Sequence, residues 1–278
     1  MNFNFTMSSD WINALYIRYD IDKIKVYDNL YFYEDKSILK CQNFFNFNIS
    51  EKVLEQIKKE IENNKKVRFS YFDNQESIER LKIWARKNNF KFEELDCWDS
   101  PLLDLNTPLN VYIDTLSSNQ IKKNYKKYIK NKEKFQIKNS KNEDVLRLWK
   151  DVLVIDYNSW KREENSDMKS LDREDLQYLP MLLNNPLETS LQVIYKKGIP
   201  LGYTLMFKNK DTWFNVKWGS SYEGRKECAG FFCLFNHIEY LYSVSSILSL
   251  DFWGRRNKTY DDLKNNEIKR CHIIISKE

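Results

Sequence analysis

Leu191-Gln192-Val193-Ile194-Tyr195, Lys197-Gly198 and Leu201-Gly202-Tyr203-Thr204-Leu205-Met206-Phe207 open the stretch that decides the fold, residues 191–264. Leu191, Val193 and Tyr195 alternate, Lys197-Gly198 turns the chain, and Leu201, Tyr203, Leu205 and Phe207 alternate back. A second turn, Asn209-Lys210-Asp211, leads into Trp213-Phe214-Asn215-Val216-Lys217-Trp218. Period-two patterns joined by short Gly/Asn/Asp turns predict an antiparallel meander. Residues 220–230 form a basic, glycine-containing turn, and a helical run follows with Phe231, Leu234, Phe235, Ile238, Leu241 and Tyr242 on its apolar face. Residues 247–253 predict one more strand. The order is therefore meander, basic turn, helix, strand.

Such a turn can hold an anion. The first N–H groups of a helix have no internal partner and the helix dipole is positive there. Arg225 and Lys226 add full charges, while Gly224 and Gly230 let backbone come close to a phosphate. The competing reading is a solvated basic loop that caps a core helix.

A chain of 278 residues can bury one large core or two modest ones. Its 42% hydrophobic and 15% aromatic content exclude a disordered chain. Nowhere does an uninterrupted apolar run reach the ~20 residues of a helical membrane span. Residues 1–6 lack a basic segment before an apolar run, so no secretory signal is expected. Five cysteines, an odd number without close pairing, predict reduced thiols and a cytoplasmic location. Cys228 and Cys233 have no metal-spaced histidines beside them, so no zinc or other metal is expected. A net charge of +5 suits an anionic cofactor or a modest nucleic-acid contact without demanding either.

The first hundred residues read as a mixed α/β scaffold. Strands are predicted at 21–26, 30–33, 37–41, 67–72 and 90–95. A helix capped by Ser50 covers 51–66, and a second follows an Asp73-x-x-Glu76 capping box. After a short helix near 111–116 comes the lysine-rich run from Ile121 to Lys132. Ile121, Tyr125, Tyr128 and Ile129 fall on one stripe, with lysines on the remaining faces. This is an amphipathic basic helix between two domains, either a solvated face or a contact for RNA or an acidic carrier protein. Because its lysines surround the stripe instead of sharing a face with the aromatics, the pattern argues against a strong nucleic-acid site.

Between Ser100 and Lys264 these pieces resemble a known family. An aspartate-leucine strand (Leu103-Asp104-Leu105), a short helix, Leu116-Ser117-Ser118 and a basic helix stand in the order found in the FemAB-like acetyltransferases, the type 6 GNAT group that includes members associated with cellulose synthesis. A helix over 142–156 ending at Ser159-Trp160-Lys161, and Asp251-Phe252-Trp253-Gly254 with Lys258, continue the likeness. A helix over 172–185, kinked or split at Pro180, precedes the meander. The GNAT donor signature is a Gln or Arg, two residues, Gly, one residue, then Gly or Ala. Arg225 and Gly230 take its outer positions, and Cys228 stands where the middle Gly belongs.

The resemblance implies an α/β (α+β) fold of two GNAT-like domains, residues 1–105 and a more complete 106–278, joined by the basic helix. It implies an N-acyltransferase that moves an acyl group from a thioester, acyl-CoA or acyl-carrier protein, to an amine of a small molecule or peptide, with no metal. The donor would sit on Gly224, Arg225, Lys226, Cys228, Ala229 and Gly230. The reaction centre would gather Asp251 as base, Lys161 and Lys258 as charges, and Trp160 as a wall. Each has a structural reading beside it: Trp160 packing a core, Lys161 and Lys258 as surface cations, and Asp251 pairing Arg255 or Arg256. Cys228 is either a thiol activated at a helix N-terminus or a small residue tolerated in place of Gly. Tyr222, Tyr240 and Tyr242 are candidates for the acid that protonates a departing thiolate, whereas His237 and His272 read as packing residues. The alternatives are an aminoacyl-tRNA-dependent Fem-type transferase, which would usually carry a coiled-coil arm not seen here, and a non-catalytic binding module.

Overall fold

The computed structural model describes residues 21–43, 49–140, 143–164, 189–209, 211–253 and 257–278. The expected helix over 172–185, with Pro180, and the residues Gly254, Arg255 and Arg256 lie outside the described residues. The chain divides into two compact units, Met1–Asp99 with Ile268–Glu278, and Ser100–Glu267.

In the first unit, β1 (Ile24–Tyr27), β2 (Leu30–Asp35) and β3 (Ile38–Cys41) form an antiparallel meander. Helix α1 (Glu51–Glu62) begins where the Ser50 side chain accepts a hydrogen bond from the Val53 N–H. It stops short of the predicted end because Lys66 opens β4 (Lys66–Phe72), parallel to β3. Helix α2 (Gln75–Lys87) is capped by Asn74, which accepts from the Ser77 N–H, and not by the predicted Asp73. Both helices bury their apolar stripes, Val53, Leu54, Ile57 and Ile61 on one and Ile78, Leu81 and Ala85 on the other, in a core with Phe32, Phe69 and Phe72. On the rim, Glu60 accepts hydrogen bonds from Tyr27 and Lys25 and pairs with Lys65. Burial alone would raise its carboxyl, but these three donors outweigh that and hold it at about 2. Strand β5 (Phe90–Asp104) begins in this unit, and its residues from Ser100 onward belong to the second.

The second unit continues through α3 (Leu109–Thr115), α4 (Asn119–Asn131), β6 (Gln136–Asn139), α5 (Val145–Tyr157) and the single turn α6 (Trp160–Glu163). Strands β7 (Thr189–Lys196), β8 (Ile199–Asn209) and β9 (Thr212–Ser220) make the predicted meander. Helices α7 (Tyr222–Glu227) and α8 (Ala229–Ser243), strand β10 (Ser249–Asp251) and helix α9 (Lys258–Leu263) complete it. The strand order is β5-β10-β9-β8-β7-β6, antiparallel except for β9 beside β10. Helix α8 covers one face and α5 the other, so β7 and β8 are buried on both faces, and the alternation read in them reports side and not exposure. The basic helix does not link domains. It lies within this unit, Tyr125 and Tyr128 pack edge-on against Phe235 and Phe232 of α8, and both hydroxyls donate to Glu239. Ile129, placed on the apolar stripe, is exposed.

The last strand, β11 (Asn266–Lys277), carries the chain back to the first unit, where it stands between β4 and β5. Residues 268–278, read from the sequence with the second domain, thus complete the first unit. There Cys97 and Cys271, 174 residues apart, form a disulfide across a Cα separation of 4.2 Å. This corrects the expectation of five reduced thiols. Strand pairing at long range brings the two sulfurs together, and spacing along the chain carries no sign of it. Cys41, Cys228 and Cys233 are free.

Candidate functional site

Strands β9 and β10 pair over three residues, Thr212 with Ser249, Trp213 with Leu250 and Phe214 with Asp251. Beyond Phe214, β9 runs on to Ser220 without a β10 partner among the described residues. The register against β8 slips where the strands part: Met206 faces Asn215, Leu205 faces Lys217, and Val216 is extra. A bulge of this kind bends a strand and frees main-chain groups from the ladder. Asn215, the first residue past the last pair, is 1% exposed, and both polar atoms of its amide find no hydrogen-bond partner among the described residues.

Lys161 is placed differently from the surface cation that one reading allowed. Ser159 caps α6 through the Lys161 N–H, which turns the lysine inward. Its Nζ lies 2.7 Å from Asp156 Oδ1, 3.0 Å from the Tyr203 hydroxyl and 3.3 Å from the Trp218 carbonyl. Tyr203 also donates to Asp156 at 2.9 Å. Burial, then the charge of Asp156, holds the Tyr203 hydroxyl well above its ordinary range, so it stays protonated and donates. The ammonium therefore ties α6 and α5 to the part of β9 beyond the parting.

A cleft of about 400 Å³ opens beside α6, lined by Tyr157, Asn158, Ser159, Arg162, Glu163 and Tyr222. Next to it, about 290 Å³ is lined by Val154, Asn158, Ile199, Pro200, Ser221, Tyr222 and Glu223. Tyr222 borders both, and its hydrogen bond to Glu163 raises its hydroxyl. Of the three candidate tyrosines it is the one lining these clefts. Tyr240 is exposed on α8, and Tyr242 is stacked on Tyr112.

The predicted donor turn is two helices meeting at one left-handed residue. Residues 222–227 are helical because Ser221 caps them through the Gly224 N–H. Gly224 is buried against β8, and a Cβ there would lie 1.9 Å from the Leu201 carbonyl oxygen. Its role is close packing, not approach to a phosphate. Cys228 has φ 62° and ψ 28°, a conformation that glycine adopts freely. The departure from the signature thus falls at the residue whose backbone calls for glycine. Among the described residues no side chain caps α8, and Ala229 and Gly230 are buried in its first turn. Lys127 of α4 reaches this junction, with Nζ 3.3 Å from the Lys226 carbonyl and 3.6 Å from Cys228 Sγ. Lys226 itself pairs with Glu223, and Arg225 is exposed. Lys127 is the cation that sequence reasoning missed, since it lies a hundred residues upstream on a helix read as a linker.

Asp251 is buried at the end of β10, where it accepts a hydrogen bond from the Trp253 N–H at 2.8 Å. Lys258 is exposed at the start of α9. Two residues on, Tyr260 accepts from Trp218 Nε1 at 2.9 Å and stacks on Phe252, and burial pushes its hydroxyl up to about 12. Trp218 therefore touches the Lys161 network through its carbonyl and Tyr260 of α9 through its indole. Trp160 is 44% exposed and is not the packed residue that a tryptophan after a core helix suggests. His237 is buried as predicted, but as part of a polar network: Ser190 Oγ lies 2.7 Å from Nε2 and Thr204 Oγ1 2.5 Å from Nδ1. Among the described residues, one group places three metal-type ligands within 4.8 Å of one another, Glu94, Cys97 and Cys271, and its two sulfurs are bonded together.

No family model matches the sequence, and no curated protein is a detectable relative. The fold, in contrast, is shared with solved structures. FemX superposes with a TM-score of 0.68 at 9% identity, over 98% of this chain and 92% of that one. The C-terminal domain of a putative lysylphosphatidylglycerol synthetase from Agrobacterium fabrum gives 0.63 at 10% identity, over 97% and 88%. The lysylphosphatidylglycerol synthetase of Bacillus licheniformis gives 0.60 at 10%, over 90% and 80%. The chain therefore has a mixed α/β fold, which it shares with FemX and these synthetase domains. At this level of identity the likeness is one of architecture. Among the described residues no helix is long and apolar enough to cross a membrane.

Proposed function

We propose that the protein is a transferase that moves an acyl group from a thioester donor, on CoA or on an acyl-carrier protein, to an amine of a small molecule or peptide. The observation that carries this reading is the opening between β9 and β10, with a bulge at its inner end and the uncapped start of α8 at its outer end. An extended donor could lie along β9, its anionic head at α8 near Lys127 and Arg225, its carbonyl against a freed β9 N–H. The amine nitrogen then attacks the carbonyl carbon, the carbon–sulfur bond breaks, and the amine proton passes to a base while the thiolate takes one from an acid. Asp251, where the strands part, is our candidate base, and Tyr222 is our candidate acid. Lys161 acts in this scheme as a positioning residue for α6, while Lys258 and Trp160 border the acceptor side.

A second reading, an aminoacyl-tRNA-dependent Fem-type transferase, is favoured by the superposition on FemX. Calorimetry with CoA, and tRNA titration at two salt concentrations, separates the two. Arg225→Glu with Lys127→Glu should weaken CoA binding roughly a hundredfold or more, since each of the two charge-assisted contacts contributes about 1.5–3 kcal/mol. Unchanged affinity removes the α8 start as the donor site. Tight tRNA binding with a steep salt dependence selects the second reading.

A further inference from the structure

Asn215 is the side chain of the second unit whose donor and acceptor are both buried and unpaired among the described residues. An amide taken from water without a partner is destabilising, and a protein has no structural use for one where an apolar side chain would fit. Its position is specific. Trp213, two residues earlier, and Met206, opposite on β8, belong to the core on the α8 side, so Asn215 stands on that face. It is the first residue beyond the Phe214–Asp251 pair and directly precedes the bulged Val216. At the other end of the opening, Gly219 lies against Gly230 in the first turn of α8, where a Cβ on Gly230 would be 3.4 Å from the Gly219 oxygen. Gly219 lies four positions along β9 from Asn215, at most about 13 Å at ~3.3 Å per step and less across the bulge at Val216. In the donor reading proposed above, a donor with its charged head at α8 would run its arm along β9 toward the Asn215 amide.

We infer that Asn215 is a specificity-determining residue that reads a polar acyl group, one carrying a hydroxyl or amine close to its carbonyl, in preference to a plain alkyl chain. The inference rests on the donor reading proposed above. An amide that both donates and accepts matches such a group and leaves an alkyl chain facing an unpaired pair of polar atoms. The same chemistry could arrive as a hydroxyacyl thioester on CoA or as an aminoacyl ester on tRNA.

The test compares 3-hydroxybutyryl-CoA with butyryl-CoA, and alanyl-tRNA with uncharged tRNA, by calorimetry on wild type, Asn215→Leu and Asn215→Val. Wild type should favour the polar acyl group on one of the two carriers by roughly tenfold or more. Both variants should lose that preference, keep their affinity for free CoA or uncharged tRNA, and melt at or above the wild-type temperature. A carrier that binds wild type with no preference between its two acyl forms overturns the inference and leaves the donor reading intact. Failure of both carriers to bind overturns the donor reading and the inference with it. Should the variants not fold, the wild-type comparison decides alone.

Discussion

Replacing Lys161 by alanine removes the cation from a site where its partner cannot reach water. Asp156 is 2% exposed, and the Tyr203 hydroxyl at 2.9 Å is among the donors it would keep. Breaking a buried pair from one side typically costs about 3–5 kcal/mol, because a charge is left uncompensated. Tyr203 offsets part of that, so the lower end, about 3 kcal/mol, is expected for Lys161→Ala. For a unit of this size each kcal/mol moves Tm by about 2–4 °C, giving a loss of roughly 6–12 °C. Urea unfolding followed by tryptophan fluorescence should show a lower midpoint with an unchanged slope. Lys161→Met combined with Asp156→Asn should recover about 0.5–3 kcal/mol of the summed single losses, since the two side chains are in contact. A loss under about 1 kcal/mol for Lys161→Ala, or strict additivity of the two changes, would refute the buried pair and return Lys161 to the surface.

Gly224→Ala should destabilise by about 1–3 kcal/mol or more, because the added methyl meets backbone and not a flexible side chain; thermal unfolding measures it. Cys228→Gly should be neutral or stabilising by up to about 1 kcal/mol, since glycine adopts positive φ without steric cost. Acid sensitivity should arise in part at Glu60. Its carboxyl is depressed to about 2 in the folded state and sits near 4.3 unfolded, so its contribution is complete above the unfolded value and is lost as pH falls from about 4.3 through about 2. Near-ultraviolet circular dichroism along an acid titration should show that loss in wild type and a flatter profile in Glu60→Gln. Equal profiles would remove Glu60 as the cause.

Local chemistry made much of the fold legible. Ser50 caps the helix that follows it, because a hydroxyl reaching back to an N–H is decided within four residues. The meander and the helix after it were readable for the same reason, being patterns of period two and 3.6 on neighbouring residues. What the sequence could not show is whatever depends on residues meeting from far apart. Residues 222–227 look like a basic turn until Leu201 lies against Gly224. Lys161 looks like a surface cation until Asp156 and Tyr203 enclose it. Cys97 and Cys271 look like free thiols until β11 returns beside β5. The parting of β9 from β10, the bulge at Val216 and the unpaired Asn215 belong to this second group. A strand's pattern states which face each side chain takes, but register and partner are chosen by the whole sheet, and only the tertiary structure reveals where the ladder of hydrogen bonds ends.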